Sequence, residues 1–70
     1  VTGARLIRAL ERVGFVQLRQ SGSHVTLRHR DDVTRRATVP VHGGRAVRPG
    51  TLRTILRGAR LTVDELRALL

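Results

Sequence analysis

The amino-acid sequence predicts an α+β two-layer sandwich, and three patterns carry that reading. Apolar residues recur at helical spacing near the start, at Leu6, Ile7, Leu10 and Val13. Three runs then alternate with the two-residue period of strands, and helical spacing returns from Leu52 onward. A three-stranded sheet with one apolar face needs cover on that face, and the two main helices supply it. The opposite sheet face is then left to solvent.

Residues 3–13 read as the first helix, with Thr2 as its N-cap. Arg5, Arg8 and Arg12 fall opposite its apolar face. Gly14 suits the left-handed position that ends a helix, and Phe15 follows within reach of Leu10. Residues 15–20 alternate as a strand, with Val16 and Leu18 sharing a face. Ser21-Gly22 is a tight turn. Residues 23–30 form a second strand, with Val25 and Leu27 on one face and His24, Thr26, Arg28 and Arg30 on the other. Asp31-Asp32 opens a second turn, and residues 36–41 make a third strand that Pro40 confines to a sheet edge or a strand end. A loop rich in Gly, Arg and Pro follows from His42 to Gly50. Leu52, Ile55, Leu56 and Ala59 define the second helix, with Pro49 acceptable in its first turn. Gly58 weakens the end of that helix by up to about 1 kcal/mol relative to Ala. Thr62-Val63-Asp64-Glu65 is a capping box that starts a last short helix carrying Leu66, Leu69 and Leu70.

The chain of 70 residues is expected to form one domain over 1–70, and it holds no internal repeat or linker. Fourteen arginines, no lysine and five acids leave a net charge of +9. That excess points to a polyanionic partner. The absence of cysteine removes disulfides and thiolate zinc sites as staples. No apolar run approaches the ~18 residues of a membrane span, and no signal-peptide pattern opens the chain. A cytoplasmic location without membrane association is the expectation.

Few residues can carry chemistry. The histidines are His24, His29 and His42. His24 and His29 differ by an odd number along one strand and so point to opposite faces. Asp31 and Asp32 belong to a turn, and no four-ligand pattern exists, so no metal site and no cofactor are expected. His42-Gly43-Gly44 offers loop backbone rather than a phosphate-gripping motif. A single Phe, without Tyr or Trp, provides no stacking platform for bases. Binding therefore rests on arginines that grip phosphates. His24 stands out because it follows Gly22-Ser23 at a tight turn, where a nucleic-acid backbone can approach closely. Arg28 and Arg30 lie on its strand and Arg19 on the neighbouring one; whether Arg19 shares its face depends on pairing register. Imidazole changes charge near neutral pH, which suits a general acid or base.

Four motifs in order carry a family resemblance: Gly14-Phe15; Gly22-Ser23-His24; Val39-Pro40-Val41-His42; and Pro49-Gly50-Thr51-Leu52-Arg53-Thr54-Ile55-Leu56. With the size, charge and element order, they make the chain resemble the HicA (YcfA-like) mRNA interferase toxins over nearly its whole length. The resemblance implies a double-stranded-RNA-binding-domain-like α-β-β-β-α fold. It also implies an endonuclease that cuts mRNA without a metal and is silenced by a cognate acidic HicB-like antitoxin. The family's active histidine begins the second strand, which by position is His24, beside Gly22 and Ser23. RNA brings its own nucleophile, the 2′-OH. On that chemistry Arg28, with Arg19 or Arg30, would steady the charge developing on phosphorus, and His42 is the candidate second acid–base group if the fold brings it near. One departure concerns Arg60, where the family often has Gly; a positive φ there would strain Arg60 by about 1 kcal/mol. Two rival readings use the same residues. A non-catalytic RNA-binding module would tolerate loss of His24. A membrane-active peptide would use the Arg5/Arg8/Arg12 stripe, although the patterned strands and the capped last helix favour a packed domain.

Overall fold

The structure, a computed structural model, describes residues 1–70. Its elements run α1 (Gly3–Arg12), β1 (Phe15–Ser21), β2 (His24–His29), β3 (Arg36–Pro40), α2 (Pro49–Ala59) and α3 (Val63–Leu69). The strands form one antiparallel sheet in the order β1-β2-β3. The expected α+β layout is therefore the observed one. Both outer strands are edges, which is where Pro40 can close β3 without a missing ladder bond.

The core lies between the sheet and the helices. Leu6 and Leu10 of α1, Leu27 of β2 and Val39 of β3 are its largest fully buried side chains. Ile55, Leu56 and Ala59 of α2 and Leu66 of α3 complete it. Each helix starts as the sequence predicts. Thr2 accepts a hydrogen bond from the Arg5 N–H at 3.3 Å. Thr62 and Glu65 make both bonds of the capping box, at 2.9 and 3.0 Å. Pro49 is the first residue of α2.

The end of α2 has a structural reason in both of its unusual residues. A Cβ at Gly58 would stand 2.5 Å from the Arg36 carbonyl oxygen, so glycine lets the helix lie directly on the β3 backbone. Arg60 then takes a left-handed conformation, φ 55° and ψ 44°. The Leu61 N–H bonds back to Leu56 O at 3.0 Å and the Arg60 N–H to Arg57 O at 3.2 Å, a Schellman ending built without glycine. The Arg60 guanidinium meets Asp32 at 3.1 Å. At its far end, α3 is tied to α1 by Arg12, which donates to Leu69 O at 2.9 Å.

Strand β1 departs from the expected pattern. Its one buried residue is Phe15, whereas Val16 and Leu18, the pair that alternation marks as its apolar face, are 41% and 44% exposed. The pairing explains this. Phe15 lies opposite the inward-facing His29, so Val16 falls opposite Arg28 on the outer face. A β-bulge between Gln17 and Arg19 then inserts Leu18 as an extra residue.

His29 is the inward-facing histidine and is 8% exposed. Its Nδ1 accepts from the Asp31 N–H at 3.1 Å. Its Nε2 lies 2.7 Å from Val13 O, an atom that can only accept, so the ring is the Nε2–H tautomer. The Phe15 ring packs edge-on against it at 5.2 Å. His29 thus joins the end of α1 to the sheet and takes no part in the open face.

Candidate functional site

The hairpin that carries His24 is as short as a hairpin can be. Ser21 pairs with His24, which leaves Gly22-Ser23 as a two-residue loop. Gly22 has φ +57° while Ser23 does not enter the positive region, the signs of a type II′ turn, whose first position favours glycine. The turn sets His24 as the first residue of β2, exposed on the outer face.

The segment that leaves the next strand brings the second histidine. In the β2–β3 ladder His24 lies opposite Pro40. Just beyond, the Val41 N–H donates to Ser23 O at 2.6 Å, which holds the chain leaving β3 against the turn. His42 follows, and its ring meets that of His24 edge-on, with centroids 6.3 Å apart and planes at 86°. Pairing register therefore joins two residues that stand 18 positions apart in sequence.

The chain then wraps around this pair. Val47 is buried and its N–H donates to Val1 O at 2.7 Å, while Ala46 bridges to Thr2. Pinned in this way, the segment encloses an open cavity of about 390 Å³ lined by His24, Thr38, His42, Arg45, Arg48 and Thr51, among others. Two imidazoles and two guanidinium groups face it, and no carboxylate does. Arg48 is also the N-cap of α2 and makes no side-chain capping bond, so the first-turn N–H groups near Thr51 keep no side-chain partner.

The residues singled out from sequence fall into three places. Gly22, Ser23, His24 and His42 come together at this end of the sheet. Arg19 joins the same outer face, because the bulge shifts it to pair with Thr26; without the bulge its parity would turn it inward. Arg28 also occupies that face, between Val16 and Arg36 of the neighbouring strands, with its Nε buried and unpartnered. It lies four residues from His24, about 13 Å along the strand, and does not line the cavity. Arg30 is not brought to the site. It follows the end of β2 and is engaged by Asp31 at 3.3 Å.

Sequence reasoning missed Arg45, Arg48, Thr38 and Thr51. The two arginines sit in a loop whose course follows from its ties to Val1 and Thr2, and no local pattern shows such ties. No group of three His, Cys, Asp or Glu side chains is placed to hold a metal ion. No helix is long and apolar enough to cross a membrane.

Compared with known families, residues 3–61 match the model described as the HicA toxin of bacterial toxin–antitoxin systems. Among curated proteins no match is found.

Proposed function

Since the chain belongs to the HicA toxin family, we propose that it is an endoribonuclease that cleaves mRNA without a metal ion and so arrests translation and growth. One observation carries this reading: an exposed histidine at the mouth of a cavity lined by arginines and free of carboxylates. A phosphodiester can enter such a cavity, whereas a bound carboxylate would repel it.

The chemistry needs little from the protein. The 2′-OH of RNA attacks the adjacent phosphorus, the bond to the 5′ oxygen breaks, and the products are a 2′,3′-cyclic phosphate and a 5′-OH. His24 acts as general acid or base. Arg45 and Arg48 are the guanidinium groups positioned to neutralise charge on the reacting phosphate. Arg19 and Arg28, joined by Arg36, hold flanking phosphates along the open sheet face. Gly22 and Ser23 keep the turn low enough for the backbone of RNA to approach. The natural partner besides RNA is a cognate HicB-like antitoxin, acidic where it covers the arginines. An mRNA substrate would put the activity in the cytoplasm.

The test is RNA cleavage by the purified chain in EDTA, with His24→Ala alongside. Cleavage should persist in EDTA, fall by a factor of about 10²–10⁴ in the variant as for loss of a general acid or base, and spare DNA, which lacks the 2′-OH. Growth arrest that survives in His24→Ala would instead favour a non-catalytic RNA-binding module.

A further inference from the structure

We infer that His42 is a second catalytic residue, paired with His24 across one scissile phosphate. The inference rests on the ribonuclease reading above and deepens it.

Transesterification moves one proton from the 2′ oxygen and delivers one to the departing 5′ oxygen. Both happen on opposite sides of a single phosphorus, so two groups that exchange protons near neutral pH serve it best. The cavity contains two such groups and no more. Arginine stays protonated at any relevant pH, threonine hydroxyls do not titrate there, and no carboxylate lines the walls. The titratable or charged groups facing the histidines are Arg45 and Arg48 from the loop; β3 contributes Thr38 and Pro40, and α2 contributes Thr51.

The geometry suits the division of labour. With centroids 6.3 Å apart and planes at 86°, the rings face one cavity, one from the start of β2 and one from the segment that follows β3, without hydrogen-bonding each other. The transfer requires that the oxygen each ring serves lie within ~2.6–3.2 Å of it, one oxygen on either side of the phosphorus. One neutral imidazole takes the 2′-OH proton as the O2′–P bond forms. The other, protonated, gives its proton to O5′ as the P–O5′ bond breaks. No electrons are gained or lost, and the two rings end with their protonation states exchanged. His42 is held for this by the Val41–Ser23 bond, which fixes the residue before it to the residue before His24.

The experiment is the pH profile of kcat/KM for a short RNA, for the parent, His24→Ala and His42→Ala. It is repeated with the same RNA carrying sulfur in place of the scissile 5′ oxygen, a leaving group that departs without a proton. The parent should give a bell. His42→Ala should lose a factor of about 10²–10⁴ with the all-oxygen substrate and lose one limb of the bell, at an unchanged melting temperature. The sulfur substrate should restore cleavage in one alanine variant, the one lacking the acid, and not in the other. A His42→Ala profile with both limbs intact, or rescue of neither variant, overturns the pairing while leaving the ribonuclease reading in place. A parent that leaves the RNA uncut overturns that reading itself.

Discussion

Replacing His29 with alanine separates structural from catalytic histidine in one measurement. The ring makes two hydrogen bonds, to Val13 O at 2.7 Å and from the Asp31 N–H at 3.1 Å, each worth about 1 kcal/mol net. Its edge-on packing against Phe15 at 5.2 Å adds about 0.5–1.5 kcal/mol. Alanine removes all three interactions and leaves two backbone groups to find water at a site only 8% exposed. The expected loss is roughly 3 kcal/mol, a large part of the stability of a domain this small. At about 4–8 °C per kcal/mol, the melting temperature should fall by roughly 12–24 °C. Thermal and urea unfolding followed by circular dichroism measure this, and His24→Ala provides the contrast, with activity lost and melting unchanged. Cleavage per folded molecule should survive in His29→Ala. A His29→Ala protein that melts with the parent would refute the assigned hydrogen bonds and the tautomer drawn from them.

Two further predictions concern stability. Gly58→Ala, which favours an isolated helix, should here destabilise by about 1–3 kcal/mol, because the new Cβ would meet Arg36 O at 2.5 Å and push α2 off β3; urea midpoints decide the sign. Acid should weaken the fold in part through Asp32 and Glu65. The Thr34 hydroxyl and N–H, then the Arg60 and Arg35 charges, hold Asp32 below its ordinary 3.8, and the Thr62 N–H and hydroxyl hold Glu65 below its ordinary 4.5. Both bind fewer protons folded than unfolded, so their stabilisation is complete above those ordinary values and fades as pH falls through the lowered ones. Unfolding midpoints between pH 5 and pH 2 should drop less steeply in Asp32→Asn with Glu65→Gln than in the parent.

Local chemistry made much of the fold legible. Thr2, Gly14 and the Thr62–Glu65 box announce helix ends because capping involves neighbours three or four residues apart. The opposite facing of His24 and His29 follows from strand parity alone. The phase of β1 was not legible. Alternation favours Val16 with Leu18 over Phe15 with Gln17, and an inserted residue has no sequence signature.

For the candidate site, composition and local spacing supplied the ingredients: a glycine turn ahead of His24, a chain without stacking aromatics, and arginine in large excess over acid. Spatial pairing was decided by tertiary structure. His24 meets His42 because Pro40 lies opposite His24 in the β2–β3 ladder, a register set by the connection between the two strands and by which face of each strand is buried. Arg45 and Arg48 reach the same cavity because Val47 is buried and bonded to Val1 at the other end of the chain. Such contacts depend on the simultaneous burial of distant segments, whereas composition, caps and strand parity depend on a few consecutive residues.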